Sequence, residues 1–384
     1  MTPTVTLTER RPRVVRLPRA EITFLLAHAR HLIDVVPTFE RGRVRLTPRG
    51  FVGFLTGPST RYIIRPKIPW PNLRLLLGLS PEAEGTTHEP GTDLLAVLAT
   101  EFVDQLEAVT RPGLVAGYSE VETTSSFLRG KLRAAEQMRD AAARAFPDRF
   151  YINEPVFDLN TPWNQIPKAT AIALLDRTEL PLALRQRIES AVVPLASVLP
   201  QPVTERTFVL ARAEPRAESY RPLLNVCRLI LNGLASADPL AHAGSAFLID
   251  LGQAFERYLT EALTRELAPH RAWGVEAQPG FTLGPTTLEP DIVICKRHVA
   301  RVVLDAKWKT TTLDANDLHQ VLAYATLTGA ERVGLVYPGH TDARTHFTTP
   351  NGRVRVSRYR VRVIGDAAEL AHSIAKLARD CRRS

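Results

Sequence analysis

The sequence contains only three cysteines, Cys227, Cys295 and Cys381, which lie far apart in the chain. Their spacing matches no zinc-binding pattern and argues against a disulfide framework, so Cys227 and Cys295, which lie in apolar runs, are expected in the core. The chain lacks an apolar run of about 18 residues, the length that a membrane span requires. Its basic first segment also lacks the apolar core of a secretory signal. We therefore expect a cytoplasmic protein without a membrane span.

Lysine is scarce as well, because 42 of the 49 basic residues are arginine and only seven are lysine. The formal net charge is +9 and the isoelectric point is about 9.7. A basic balance of this size suits a polyanionic partner such as a nucleic acid. Composition alone does not identify that partner, so the interpretation depends on motifs.

The apolar pattern predicts a chain of two parts. Helical spacing recurs over residues 22–36 and 94–109, and residues 38–72 contain short β-rich runs divided by Gly and Pro. A further helix is predicted from Ser219 until Asn232-Gly233 ends it, and the small residues 233–244 that follow have no periodicity. We therefore predict a β-rich and helical region over 1–235 and a separate domain over 236–384. Helices and strands alternate in the second part, which predicts a mixed α+β fold around a central sheet.

The segment PDIVICKRHVARVVLDAKWK, residues 290–309, has the pattern of a hairpin. Two apolar runs flank Lys296-Arg297-His298, and a turn centred on His298 places Asp291 directly opposite Asp305. Opposed residues on paired strands project to one face about 5 Å apart, and Lys307, two residues beyond Asp305, shares that face. Both strands are apolar on both faces, which predicts a central hairpin. Two carboxylates and a lysine are thereby predicted in one patch.

This patch suits hydrolysis of a phosphodiester. Two close carboxylates repel each other unless a cation lies between them, and hard oxygen ligands suit Mg²⁺, or Mn²⁺ in its place. A lysine beside the cation can orient the attacking water and add positive charge as the transition state forms. The alternative is a surface hairpin with ordinary charges, since short matches to this motif arise by chance.

The neighbouring segments add candidates with open alternatives. Within a helix predicted over residues 247–267, Glu256 lies on the apolar flank and either snorkels to solvent or points into a site. Gln320 and Tyr324 share one side of a helix predicted over 314–327, where the alternative is ordinary helix surface. The basic strand 353–363 is either a phosphate-binding ribbon or a charged edge strand that resists aggregation.

These residues resemble the nuclease superfamily named for its PD-(D/E)-x-K motif. Within it, the chain resembles the McrC-like nuclease subunits of McrBC modification-dependent (5-methylcytosine) restriction systems. The general motif is shared by many enzymes, whereas the N-terminal segments indicate the narrower family. The segments that carry the resemblance are IIRPKIPWPN (63–72), Leu128–Leu132, FYINEPVFDLNTPWNQIPKATAIALL (150–175), Phe255-Glu256, Pro290-Asp291, Asp305–Lys307, and Asp317–Gln320 with Tyr324.

The resemblance implies an active site and a partner. In the superfamily the matching positions make Glu256, Asp291, Asp305 and Lys307 catalytic, with Gln320 in support and with Asp291, Asp305 and Glu256 as metal ligands. The family implies that residues 1–235 bind a McrB-like hexameric AAA+ GTPase and stimulate it, while residues 236–384 cut double-stranded, modified DNA. The sequence contains no G-x-x-x-x-G-K-[ST] loop, so GTP is expected only through the partner.

Three functions therefore remain open. The first is a Mg²⁺-dependent endodeoxyribonuclease subunit of a McrBC-type restriction complex. The second is a stand-alone PD-(D/E)-x-K repair nuclease, which cuts with metal alone. The third is a non-cutting adaptor that regulates an AAA+ ring, which the complete acidic and lysine set disfavours.

Overall fold

The structure is a computed structural model that describes residues 3–40, 42–79, 93–140, 148–236, 245–283, 286–309, 314–350 and 352–383. The chain forms two compact units, one from Met1–His88 with Gly233–Ser384 and the other from Glu89–Asn232. The boundary predicted at residue 235 lies close to the second junction, but the first 88 residues belong with the C-terminal segment. The predicted division of functions stays a prediction.

The N-terminal segment of the first unit is built from short strands and two helices. These are β1 (Thr4–Thr8), β2 (Arg13–Arg16), α1 (Arg19–His28), β3 (Ile33–Pro37), β4 (Arg43–Pro48), β5 (Phe51–Thr56), β6 (Arg61–Arg65) and α2 (Trp70–Leu76). The small sheets predicted between residues 38 and 72 are confirmed. The single helix predicted over 22–36 is wrong in its second half, because the β-branched Ile33, Val35 and Val36 pair with β4 instead.

The second unit consists mainly of helices beside one antiparallel sheet. Its elements are α3 (Leu94–Thr110), β7 (Gly117–Ser125), β8 (Lys131–Leu132), α4 (Ala134–Arg139), β9 (Phe150–Asp158), α5 (Pro162–Leu175), α6 (Leu182–Ala191), α7 (Glu205–Ala213) and α8 (Arg221–Ala235). The strands lie in the order β7-β9-β8. The buried Tyr220 hydroxyl donates to Asn164 Oδ1 over 2.9 Å and joins α5 to the segment before α8. The predicted helix stop at Asn232-Gly233 is wrong, because Gly233 lies inside α8. The last three residues of α8 belong to the first unit, where Gly233 leaves room for the Phe247 ring.

The C-terminal segment completes the first unit. Its elements are β10 (Ala246–Asp250), α9 (Leu251–Leu267), β11 (Trp273–Ala277), β12 (Phe281–Leu283), β13 (Thr286–Leu288), β14 (Ile292–Lys296), β15 (Val299–Ala306), α10 (Ala315–Thr328), β16 (Arg332–Gly339), β17 (Ala343–Thr348), β18 (Arg355–Arg362) and α11 (Ala367–Arg382). Cys227, Cys295 and Cys381 are buried and free, as expected for the first two. Among the described residues, no helix combines the length and apolarity that a bilayer crossing requires.

Strand β10 joins the N-terminal and C-terminal segments. It pairs antiparallel with β5 in a sheet of order β1-β6-β5-β10. The helix predicted over 247–267 is therefore wrong at its first four residues, where the fully buried Phe247 and Leu248 extend that sheet. Asp250 then starts α9, since its carboxylate accepts from the backbone N–H of Gly252 over 2.7 Å. The N-terminal sheet thereby fixes the start of the helix that carries Glu256.

A six-stranded mixed sheet of order β11-β14-β15-β16-β18-β17 forms the centre of the C-terminal segment. Helix α10 covers the face that carries Val293, Val303 and Leu335. Helices α9 and α11 pack on the other face, where the Phe255 ring contacts Trp308 and α11 lies along β18. The predicted mixed α+β fold and the predicted central position of the hairpin are confirmed.

Strand β18 lies between β16 and β17 and pairs with both without a bulge. Val356, Tyr359 and Val361 are buried. The alternative of a charged edge strand at 353–363 is therefore wrong, because a strand pairs with β18 on each side. Contact between these arginines and DNA phosphates stays a prediction.

Candidate active site

The β14–β15 hairpin has the register that the sequence predicts at its open end. Ile292 pairs with Leu304 and Val293 with Val303, so the next step along the ladder sets Asp291 opposite Asp305. The turn itself differs from the predicted one. Arg297 and His298 form a two-residue turn with positive φ at both positions, and a bulge beside Cys295 shifts the register by one residue. The bulge compensates for the shorter turn and keeps the two aspartates opposed.

Asp305 is fully buried, with 0% of its surface exposed. Lys307 Nζ lies 2.7 Å from Oδ2, but neither carboxylate oxygen accepts a well-formed hydrogen bond. Burial raises the pKa of Asp305 to about 6, the charge of Asp291 adds to this rise, and Lys307 opposes it. A carboxylate this buried and this poorly hydrogen-bonded is costly, which is typical of a functional site rather than of a stabilising contact.

Asp291 lies half-buried just before β14. Its Oδ2 accepts a hydrogen bond from the backbone N–H of Ala306 over 2.7 Å. Burial raises the pKa of Asp291, whereas this hydrogen bond and the charge of Lys307 lower it. The bond joins the ends of the two strands and holds the two carboxylates together.

Lys307 bridges the carboxylates to helix α10. Its ammonium donates to Gln320 Oε1 over 2.9 Å while it pairs with Asp305. Burial alone would lower the pKa of Lys307, but the ion pair with Asp305 outweighs burial and raises it. Gln320 Nε2 in turn donates to the Tyr324 hydroxyl over 2.7 Å. The predicted shared side of Gln320 and Tyr324 is confirmed, and it faces the hairpin.

Glu256 lies on α9, on the opposite side of the sheet from α10. Its Oε1 accepts a hydrogen bond from Gln278 Nε2 over 2.7 Å. Burial raises the pKa of Glu256 to about 7, and the charges of Asp291 and Asp305 contribute to the rise. Glu256 therefore lies close enough to the two aspartates for their charges to raise its pKa, while Gln278 binds its carboxylate, and its role in the site stays a prediction.

The carboxylate pair fits a hard divalent cation, because Asp305 Oδ1 is buried without a donor beside a second carboxylate. Across the described part of the chain, however, no three His, Cys, Asp or Glu side chains converge closely enough to hold a metal ion. Glu256 is held by Gln278 instead of joining the aspartates in one cluster. The assignment of Asp291, Asp305 and Glu256 as metal ligands stays a prediction.

Two contacts at the site could not be found from local sequence. Gln278 reaches Glu256 from the loop after β11, where its positive φ of 45° marks an unusual backbone. Trp308 donates its indole N–H to Glu9, 299 residues away in sequence. No spacing rule connects residues so far apart. By contrast, His319, which neighbours Gln320 in the chain, is exposed on α10.

The Tyr324 hydroxyl gives a direct test of this arrangement. We expect Tyr324→Phe to lower the free energy of unfolding by about 1 kcal/mol, because the half-buried Gln320 amide loses its acceptor. Urea unfolding would measure the change. Tyr258→Phe in α9 is the matched control, since no hydrogen bond to its hydroxyl occurs within the described residues, and it should cost less. Equal losses in the two variants would contradict the proposed orientation of Gln320.

Comparison with known proteins gives a family and a fold. The family model of the McrBC 5-methylcytosine restriction system component matches residues 47–338. A chain in the refined half-complex of a tetradecameric assembly of Thermococcus gammatolerans McrB AAA+ hexamers with bound McrC is 17% identical, with a TM-score of 0.53. That match covers 98% of this chain and 99% of the other, so it supports the fold.

A chain in the cryo-EM structure of the Thermococcus gammatolerans McrBC complex is 19% identical over 69% of this chain and 88% of its own length, with a TM-score of 0.41. No curated protein matches the chain. The family match nevertheless spans well over half of the sequence and includes all five predicted site residues. The chain therefore belongs to the family of McrBC 5-methylcytosine restriction system components.

Proposed function

We propose that this chain is the metal-dependent endonuclease subunit of a McrBC-type restriction complex. The observation that carries the proposal is the fully buried Asp305 carboxylate, which lacks a hydrogen-bond donor on Oδ1 and lies beside Asp291 and Lys307. Burial of an incompletely paired charge is unfavourable for stability. A cation bound at this position would balance the charge of Asp305 and would in turn attract a phosphodiester.

Asp291 and Asp305 would hold the cation, Mg²⁺ or Mn²⁺, with Glu256 contributing from α9. When bound, such an ion polarises a phosphoryl oxygen and lowers the pKa of water. Lys307 keeps its proton at neutral pH, because Asp305 raises its pKa. Its ammonium therefore offers positive charge and hydrogen bonds to the scissile phosphate, and Gln320 fixes the position of that ammonium over 2.9 Å.

Glu256 has a different part in this proposal. A carboxyl with a pKa of about 7 exchanges its proton readily near neutral pH, which suits general acid or base work on a water molecule. Gln278 orients that carboxyl through a hydrogen bond of 2.7 Å. Glu256 thus contributes either as a ligand from α9 or as a proton carrier beside the two aspartates.

The proposed partner is a McrB-like hexameric AAA+ GTPase, and the proposed substrate is modified double-stranded DNA. Membership of the McrBC family supports both, because its name describes a 5-methylcytosine restriction system. A solved structure with a similar fold is an assembly of McrB AAA+ hexamers with bound McrC. GTP would act through the partner alone. The net charge of +9 agrees with a DNA substrate.

The deciding experiment is a cleavage assay with purified full-length chain on linear DNA that carries 5-methylcytosine. The reaction contains Mg²⁺ and is run with and without the McrB-type ring and GTP. We expect cleavage only when ring, GTP and Mg²⁺ are all present, and none on unmethylated DNA. Vigorous cutting by the chain alone would indicate a stand-alone repair nuclease. Stimulated GTP hydrolysis without cutting would indicate a regulatory adaptor.

A further inference from the structure

Glu9, Lys67 and Trp308 form a buried cluster next to Lys307, because Trp308 follows Lys307 in the chain. Glu9 has 0% of its surface exposed, and its Oε1 accepts from the Trp308 indole N–H over 2.8 Å. Lys67 Nζ lies 3.7 Å from the same oxygen and 4.9 Å from the centre of the Trp308 ring. The ring also packs against Phe255, the neighbour of Glu256, with centroids 5.4 Å apart. The cluster therefore contacts the end of the β14–β15 hairpin, through Trp308, and helix α9, through Phe255. Both of these elements carry predicted site residues.

Packing alone does not account for this cluster. Glu9 Oε2 is buried without a hydrogen-bond partner, and Lys67 is mostly buried. Well-packed apolar residues of similar volume would stabilise a core as well or better. The Glu9–Lys67 pair instead determines the orientation of the Trp308 indole, because the charged Glu9 carboxylate accepts the indole N–H.

That orientation matters for Lys307. On one side, the Lys307 backbone N–H donates to the Val336 carbonyl of β16 over 2.9 Å. On the other side, the next residue is Trp308, which Glu9 holds. The main chain then turns, since the Lys309 N–H donates back to the Lys307 carbonyl over 2.8 Å. The backbone of Lys307 is therefore held at its N–H and at its carbonyl, which restricts where its side chain meets Asp305.

We propose that Glu9 is a positioning residue, which sets the Lys307 ammonium between Asp305 and Gln320 by holding the Trp308 indole. Glu9 and Lys67, which follow strands β1 and β6, would thus support the active site without touching the substrate. This inference depends on the proposed function for its kinetic consequence, but not for its structural one. Catalysis is sensitive to displacements of about 1 Å, so the kinetic effect should be large.

Trp308→Phe tests the donor, because phenylalanine keeps an aromatic ring beside Phe255 and Lys67 but lacks the N–H. We expect kcat for DNA cleavage to fall by about tenfold or more, with KM for DNA unchanged, at a temperature where the variant is folded. Trp273→Phe is the matched control. Trp273 lies on β11, two strands from β15, and Lys296 lies over its ring as Lys67 lies over the ring of Trp308. That control should cut at the unmodified rate.

A pair of Glu9 variants tests the acceptor. Glu9→Gln and Glu9→Met both remove the charge beside Lys67, but only glutamine keeps an oxygen for the indole. We expect Glu9→Gln to cut within about threefold of the unmodified chain and Glu9→Met to resemble Trp308→Phe. Equal activities of the glutamine and methionine variants would overturn the proposal. This pair decides the matter alone if Trp308→Phe does not fold.

A readout independent of cleavage uses the small number of lysines. With ¹³C-lysine labelling, the seven lysines give seven Cε signals, and Lys307→Arg identifies the Lys307 signal by its loss. The Lys307 signal should move in Trp308→Phe and Glu9→Met but not in Trp273→Phe or Glu9→Gln. If the chain never cuts DNA but the signal moves as described, the proposed function fails and the positioning role stands. An unmoved signal in a chain that cuts would overturn the positioning role.

Discussion

Asp305→Asn is expected to abolish DNA cleavage and, without metal, to make the protein more stable. Removing the charged ligand should lower the cleavage rate by three orders of magnitude or more, as is common when a group essential to the transition state is lost. The gain in stability has a separate cause. Burial raises the pKa of Asp305 from 3.8 to about 6. The buried charge therefore costs at most about 3 kcal/mol, at about 1.4 kcal/mol for each pKa unit.

The net gain should be smaller, about 1 kcal/mol, because asparagine still buries a polar group at a position where the carboxylate oxygens lack a hydrogen-bond donor. The pH dependence follows from the direction of the shift. A carboxyl whose pKa is raised in the folded state favours folding below its unfolded pKa and loses that contribution as pH rises through the folded value. The advantage of Asp305→Asn should therefore grow from about pH 4 to about pH 6 and stay constant above it.

Thermal unfolding in EDTA and in Mg²⁺ would measure these effects. Mg²⁺ should raise the melting temperature of the unmodified chain and leave that of Asp305→Asn unchanged, because a ligand stabilises only the state that binds it. Asp317→Asn is the matched control. Asp317 is also buried, but it pairs with Lys309 over 2.6 Å and accepts from the Tyr337 hydroxyl. Asp317→Asn should lower the melting temperature and leave the rate of DNA cleavage unchanged. An Asp305→Asn variant that still cuts would refute the site.

Gly53→Ala is expected to disrupt the first unit at the joint between β5 and β10. Gly53 has a φ of +130°, and an added Cβ would overlap the Phe247 carbonyl oxygen across the strand pair. The positive φ alone costs on the order of 1–3 kcal/mol for a non-glycine residue. The overlap involves backbone on both strands, so rotation of a side chain cannot relieve it. We expect a total loss of about 4 kcal/mol or more, which few single substitutions reach.

The consequence should extend to the site, because β10 ends at the residue that caps α9 and α9 carries Glu256. Urea unfolding would measure the loss in stability. Gly113→Ala is the control, since Gly113 also has a positive φ, +101°, but an added Cβ meets nothing within 4 Å. It should cost only the backbone strain, about 1 kcal/mol. Similar losses in the two variants would show that conformational strain, rather than the β5–β10 approach, limits substitution at Gly53.

The sequence predicted most of the site because the site lies within one hairpin and the next helix. Alternation along β14 and β15 determines which residues share a face, so Asp291, Asp305 and Lys307 could be placed from period two alone. Gln320 and Tyr324 followed from helical spacing. The turn centre was misjudged by about half a residue, and the bulge that corrects it leaves no local signal in the sequence.

The remaining features depend on contacts between distant segments. Phe247 and Leu248 carry a pattern that fits a helix, and only the presence of the β5 edge makes them a strand. Ile33 and Val36 fit the periodicity of α1 until β4 pairs with them. Glu9 belongs to no apolar pattern that would mark it in the sequence. Its proposed role follows only from the hydrogen bond that it accepts from Trp308. Local propensity is weak compared with such tertiary contacts.

The bulge in the β14–β15 hairpin also restricts how the family can vary in length. Removing Arg301, the extra residue of the bulge, would leave a regular ladder with Asp291 still opposite Asp305. Removing one paired residue such as Val303 would turn Asp305 away from Asp291, because a slip of one residue reverses the faces of a strand. Removing one residue from each strand would leave the aspartates opposed. Insertions and deletions between these two aspartates should therefore occur in even numbers, or in odd numbers only when a bulge is gained or lost.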